Sequence, residues 1–104
     1  MNRLTEIYEK LILGQGMLCV VYEGSISPRS KLGKKIRGIL PTFYLFYEFH
    51  DGNPVPERLL KAYGLYVSAI KAWKSYNHYI FANDLFELNK LMAEIAKSVV
   101  VSES

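Results

Sequence analysis

Pro54-Val55-Pro56-Glu57-Arg58-Leu59-Leu60-Lys61-Ala62-Tyr63-Gly64-Leu65-Tyr66-Val67-Ser68-Ala69-Ile70-Lys71-Ala72-Trp73-Lys74-Ser75-Tyr76 decides the fold class of this 104-residue chain. Read at helical spacing, it carries two adjacent apolar stripes. Leu59, Tyr63, Tyr66, Ile70 and Trp73 form one, and Ala62, Leu65, Ala69, Ala72 and Tyr76 form the other. Lys61, Gly64, Ser68, Lys71 and Ser75 leave a narrow polar seam. A surface helix needs only one apolar stripe, so a helix apolar over roughly two thirds of its circumference must be covered by several neighbours or by a partner. Pro54 and Pro56 precede the stripes, where a helix start tolerates proline, and Asp51-Gly52-Asn53 reads as the turn before them.

The flanking segments supply candidate neighbours. After a break at Asn77 and His78, Phe81, Leu85, Leu88, Met92, Ile95 and Val99 recur with 4-3-4-3-4 spacing, which predicts an amphipathic helix with a tail fraying over 100–104. Toward the N-terminus, Leu4, Ile7, Tyr8, Leu11 and Ile12 predict a helix from Asn2, a candidate N-cap, to Leu13. Gly14-Gln15-Gly16 then allows two continuations. Each helical glycine costs about 1 kcal/mol relative to alanine, which favours a break followed by a strand over Met17 to Tyr22. Alternatively the helix runs on, with Leu18, Val21 and Tyr22 extending its stripe. Gly24 to Ser30 has loop composition, and Ser30 is a good cap for a second helix. Leu32, Ile36, Ile39, Leu40, Phe43, Tyr44 and Tyr47 continue the helical rhythm, but Pro41 interrupts it. That segment reads either as a kinked helix from 31 to about 49, or as a helix ending near Leu40 and a strand from Thr42 to Phe49.

Loops near 24–30, 51–53 and 75–78 cut the chain into four segments of roughly twenty residues, and short loops between long helices favour antiparallel neighbours. The expected fold is therefore a single all-α domain over 1–104, an antiparallel four-helix bundle with a kink or break near Gly14 to Gly16 and at Pro41. An α+β fold, with a hairpin of 17–22 and 42–49 packed on the helices, is the alternative.

Half of the residues are hydrophobic and 13% aromatic, which supports a real core. No apolar run approaches the ~20 residues of a membrane span. Glu6, Glu9 and Glu23 among the first 23 residues do not fit a secretory signal, and the lone Cys19 excludes an intramolecular disulfide framework. A soluble protein in a reducing cytoplasm is the simplest expectation.

Little points to catalysis. Gly14-Gln15-Gly16 lacks the third glycine and flanking elements of a dinucleotide fingerprint, and no Gly-Lys-Ser/Thr follows. His50 and His78 lie 28 residues apart with no zinc spacing around them. A Cys19 and His50 pair would have to meet in space, and His50 beside Asp51 reads as a turn histidine. Glu6, Glu9, Asp84, Glu87 and Glu94 read as solvated helix faces, and no Glu-x-x-His is present to build a di-metal centre. No enzyme, metal or cofactor is expected.

Two functions from different classes remain. The first is a small helical module that binds a protein partner, as an inhibitor, immunity factor, chaperone or adaptor. It rests on the excess apolar area of 54–76, with Tyr63, Tyr66, Trp73 and Tyr76 as candidate contacts, because tyrosine and tryptophan are enriched at interface hot spots. The same side chains would equally fill a monomer core or a homodimer interface. The second is a nucleic-acid-binding accessory protein. The net charge of +3 is concentrated locally, in Arg29, Lys31, Lys34, Lys35 and Arg37, with no acidic residue between Glu23 and Glu48. Such a patch could contact phosphates, with Tyr44, Tyr47 and Phe49 stacking on bases.

The Pro-containing turn before two long C-terminal helices resembles the small four-helix immunity proteins that protect bacteriocin producers. Leu59-Leu60 with Tyr63 and Tyr66, followed by a second helix, is similar to the C-terminal half of flagellin-export chaperones. Each resemblance covers about 50 residues and rests on generic helix patterning. Gly14 to Tyr22 and Pro41 to Phe49 fit neither family well, so no family is assigned and no residue roles follow.

Overall fold

The computed structural model describes residues 3–41 and 56–103, with side chains placed over 6–41 and 56–97. Four helices follow one another: α1 (Arg3–Gly24), α2 (Lys31–Ile39), α3 (Glu57–Lys74) and α4 (His78–Glu103). The all-α expectation holds. Asn2, the segment from Thr42 to Phe49, His50 and the Asp51-Gly52-Asn53 turn lie outside the described residues, as do the aromatics Tyr44, Tyr47 and Phe49.

The contacts between helices give their directions. Gln15 meets Asn89 and Tyr22 meets Phe81, so α1 and α4 run antiparallel. Gly14 meets Tyr66 while Ile26, just past α1, meets Trp73, so α1 and α3 run the same way. Between them α2 returns from Ile26 to Pro41, whose carbonyl meets Tyr66. The bundle is up-down-up-down, with principal extents of 41 × 23 × 20 Å, and the α3/α4 hairpin is its most extensive helix pair.

The core follows from the periodicities. In α4 the buried positions are Phe81, Leu85, Leu88, Leu91, Met92 and Ile95. In α3 they alternate large and small, Leu59, Ala62, Tyr66, Ala69, Ala72 and Trp73, and the alanines let α4 approach closely. Leu60, Leu65, Val67 and Ile70 are half-buried, so neighbouring elements account for most of the apolar circumference of α3. Its polar seam faces outward at Lys61, Gly64, Lys71 and Ser75, but Ser68 donates a hydrogen bond of 2.5 Å to Asp84. Asp84 is buried, unlike the solvated residue expected from its charge.

No break occurs at Gly14 to Gly16, and Met17 to Tyr22 is helical rather than a strand. The reason is tertiary. Ile7, Leu11, Gly14, Leu18 and Val21 form an unbroken buried row at 4-3-4-3 spacing. A Cβ on Gly14 would sit 2.6 Å from Cζ of Tyr66 and 2.7 Å from its hydroxyl oxygen, so the tyrosine ring takes that place. Packing overrides a propensity cost of about 1 kcal/mol per glycine.

The ends of α2 follow local chemistry. Ser30 Oγ accepts the Gly33 amide at 2.9 Å as an N-cap. At the other end the helix stops at Ile39, with Leu40 as its C-cap and Pro41 next. The residue before a proline is disfavoured in the helical region, so Pro41 ends the helix. Rather than fraying at residue 100, α4 continues to Glu103.

Candidate functional site

Of the four aromatics expected to meet a partner, the structure removes two to the interior. Tyr66 is 2% exposed and Trp73 4%. Both rings are apolar bodies with one polar atom, and each atom finds a backbone carbonyl on another segment: Tyr66 Oη donates to Pro41 O at 2.7 Å and Trp73 Nε1 to Ile26 O at 2.8 Å. Burial pushes the Tyr66 phenol up from its ordinary 10.0 to about 12, because desolvation penalises the phenolate. These two residues are corrected from candidate contacts to core. Tyr63 is half-buried beside a groove of about 200 Å³ with Pro41, Val67 and Ile70. Tyr76 is exposed, just past α3, with the Arg29 guanidinium 5.7 Å from its ring centroid.

Arg29, Lys31, Lys34, Lys35 and Arg37 are all exposed on α2 and the loop before it. That loop is held tightly. Ser30 Oγ donates to Ser27 O at 2.7 Å, and the Arg29 amide donates to Ser27 Oγ at 3.3 Å. Leu32 and Ile39 share the outer surface of α2 with these cations.

Among the described residues, the most exposed aromatic side chains are ones the sequence did not single out as partner contacts. Tyr22 on α1 and Tyr79 and Phe86 on α4 are 54%, 82% and 61% exposed. Tyr79 and Phe86 are seven residues apart, hence on one face of α4. Tyr22 and Phe86 border a groove of about 260 Å³ between α1 and α4, floored by Cys19, Ala82, Leu85 and Asn89. Its polar components are fixed: Gln15 Nε2 donates to Asn89 Oδ1 at 2.6 Å, and Cys19 Sγ reaches the same oxygen at 3.6 Å. Lys90 lies 5.7 Å from the Phe86 ring centroid, and Glu23 stands at the other edge. Tyr22 also packs edge-on against Phe81, centroids 6.1 Å apart. The sequence did hold a signal, since Tyr79 and Phe86 fall outside the buried rhythm of α4 while sharing a face.

Gly14 and Gly16 lie within α1 and form no phosphate-binding loop. Among the described residues no three His, Cys, Asp or Glu side chains gather as a metal site. No described helix is long and apolar enough to cross a membrane. No protein-family model, curated protein or solved structure matches the chain.

Proposed function

We propose that this chain is a small protein-interaction module of the inhibitor, immunity-factor, chaperone or adaptor kind, docking its partner on the α1/α4 face. The exposure of Tyr22 and Phe86 around one groove, with Tyr79 exposed on the same face of α4 as Phe86, carries this reading. A fold that buries Tyr66 and Trp73 almost completely leaves Tyr22, Tyr79 and Phe86 more than half exposed, each giving up part of the roughly 1.5–3 kcal/mol that full burial of a large apolar side chain provides. Aromatic anchors within a polar rim, here Glu23, Asn89 and Lys90, are the usual composition of a recognition surface.

Nucleic-acid binding through α2 is the second reading, supported by the exposure of all five cations. The two part company in a pull-down from native lysate with tagged protein, washed at low and high salt, with and without nuclease. The first reading expects a single protein retained through high salt and nuclease. Nucleic acid released at high salt supports the second, because phosphate contacts weaken steeply with ionic strength. An empty bead under every condition contradicts both.

A further inference from the structure

At one end of the bundle, α1 and α3 terminate alike. After α1 the Ile26 amide donates to Val21 O at 3.0 Å and the Ser25 amide to Tyr22 O at 3.3 Å; after α3 the Asn77 amide donates to Ala72 O at 2.9 Å and the Tyr76 amide to Trp73 O at 3.1 Å. Each pair of bonds is a Schellman cap, which needs a left-handed residue and usually takes glycine. Here the residues are Ser25 at φ 49° and Tyr76 at φ 59°. Both border a cavity of about 290 Å³, roughly ten times the volume of a water in the liquid. Strained backbone of this kind concentrates at ligand sites.

The cavity has an apolar body, and the Arg29 guanidinium lies near its mouth, against the Tyr76 ring. Val21, Ile26, Trp73 and Phe81 form its walls, with Tyr22 and Pro28 closing the sides. The Trp73 indole N–H is already committed to Ile26 O, so the wall asks nothing polar of an occupant. At the rim stand His78, the first residue of α4, and Tyr76, with the Arg29 guanidinium over its ring. No carboxylate lines the cavity among the described residues. Two helix C-termini open onto it, and the α4 N-terminus is already capped by Asn77, whose Oδ1 accepts the Ile80 amide at 3.2 Å, so the positive charge that faces an occupant is that of Arg29.

We propose that this cavity binds a small apolar acid, an alkyl or aryl carboxylate. Its hydrocarbon body lies against Trp73 and Phe81, and its carboxylate sits at the mouth by Arg29 and His78. This site shares Tyr22 with the α1/α4 groove but no other lining residue, and it does not depend on the interaction reading.

Trp73 is the only tryptophan in the chain, so its fluorescence reports the wall directly. The experiment titrates the intact protein with octanoate and with its neutral counterpart octanamide at pH 7, following Trp73 emission and, in parallel, calorimetric heat. A saturable emission change is expected, with octanoate preferred by about tenfold, the equivalent of one charge-assisted contact. Arg29→Gln, at an exposed position, erases that preference and keeps the far-ultraviolet circular dichroism. Tyr76→Gly suits the backbone and removes part of the rim, so it weakens both ligands in a protein that still folds. No saturable response, heat without a Trp73 response, equal affinities for acid and amide, or an Arg29→Gln protein that keeps the preference would each overturn the proposal.

Discussion

The ring of Tyr66 fills the notch left by the missing side chain of Gly14, and its hydroxyl reaches past α1 to the carbonyl of Pro41. One residue of α3 thereby fixes the depth of α1 and the exit of α2. The two glycines of α1 should accordingly respond in opposite ways to alanine. At Gly14 the added methyl meets a buried, hydrogen-bonded ring, so Gly14→Ala should destabilise by about 1–3 kcal/mol despite better helix propensity. At Gly16 a Cβ meets nothing within 4 Å, so Gly16→Ala should stabilise by about 0.5–1 kcal/mol. Urea unfolding of the two variants checks this, and shifts of the same sign would contradict the packing described.

Tyr66 also gives stability an alkaline limit. Its phenol is held at about 12 in the folded protein against an ordinary value of 10.0. Between those values the unfolded chain has lost the proton and the native state keeps it, so stability falls as pH rises. The contribution is fully present below pH 10 and is lost as pH climbs toward 12, a total of about 2–3 kcal/mol. Unfolding followed from pH 9 to 11.5 should show this decline, and Tyr66→Phe should remove its share of the slope. At neutral pH the same variant should cost about 1 kcal/mol through the bond lost at Pro41.

A second glycine contrast tests the seat of α2. A Cβ on Gly33 would collide with the Ser27 carbonyl oxygen and lie 2.9 Å from its carbon and 3.0 Å from Pro28 Cα. These are backbone atoms that cannot swing aside. Gly33→Ala should therefore destabilise by about 3 kcal/mol, the upper end for overpacking. Gly38→Ala, where a Cβ meets nothing within 4 Å, should stabilise by about 0.5–1 kcal/mol. Thermal melts of the pair suffice, and a neutral Gly33→Ala would show that the Ser27 to Gly33 approach is looser than described.

The left-handed backbone at Tyr76 predicts an inversion of the usual helix preference. Glycine has no Cβ to clash at φ 59°, so Tyr76→Gly should be more stable than Tyr76→Ala by about 1 kcal/mol. Chemical denaturation of the two variants reads the difference directly. Alanine equal to or better than glycine would mean that the Schellman cap after α3 does not form in solution.

The helices were legible because they are written as spacing. The rows through α3 and α4 are what burial later follows, and Ser30 and Pro41 mark the two ends of α2 by local chemistry alone. Less legible was whatever depends on a neighbour. Nothing near Gly14 announces that Tyr66, 52 residues away, occupies its missing side chain, so propensity pointed to a break. The apolar excess around Tyr66 and Trp73 suggested a partner surface, yet both rings are buried and their polar atoms are satisfied by carbonyls on other segments. Asp84 likewise is buried because Ser68, on the facing helix, donates to it. The proposed surface differs from the expected one for the same reason. Apolar excess on α3 is largely absorbed by its neighbours, and much of what stays exposed lies on the outer remainder of α1 and α4, with Leu32 and Ile39 on α2.

That remainder carries the central claim, and one measurement bears on it most directly. Tagged wild-type protein, a Tyr79→Glu/Phe86→Glu variant and a Lys34→Glu/Lys35→Glu variant are compared for the amount of partner protein retained from native lysate after nuclease and a high-salt wash. All four positions are exposed, so the circular dichroism and melting of all three proteins should agree. The aromatic variant should lose the partner, by at least about tenfold as expected for a hot-spot pair, while the lysine variant should keep it. Undiminished capture by the aromatic variant, or loss confined to the lysine variant, would contradict the placement of the docking surface on α1 and α4.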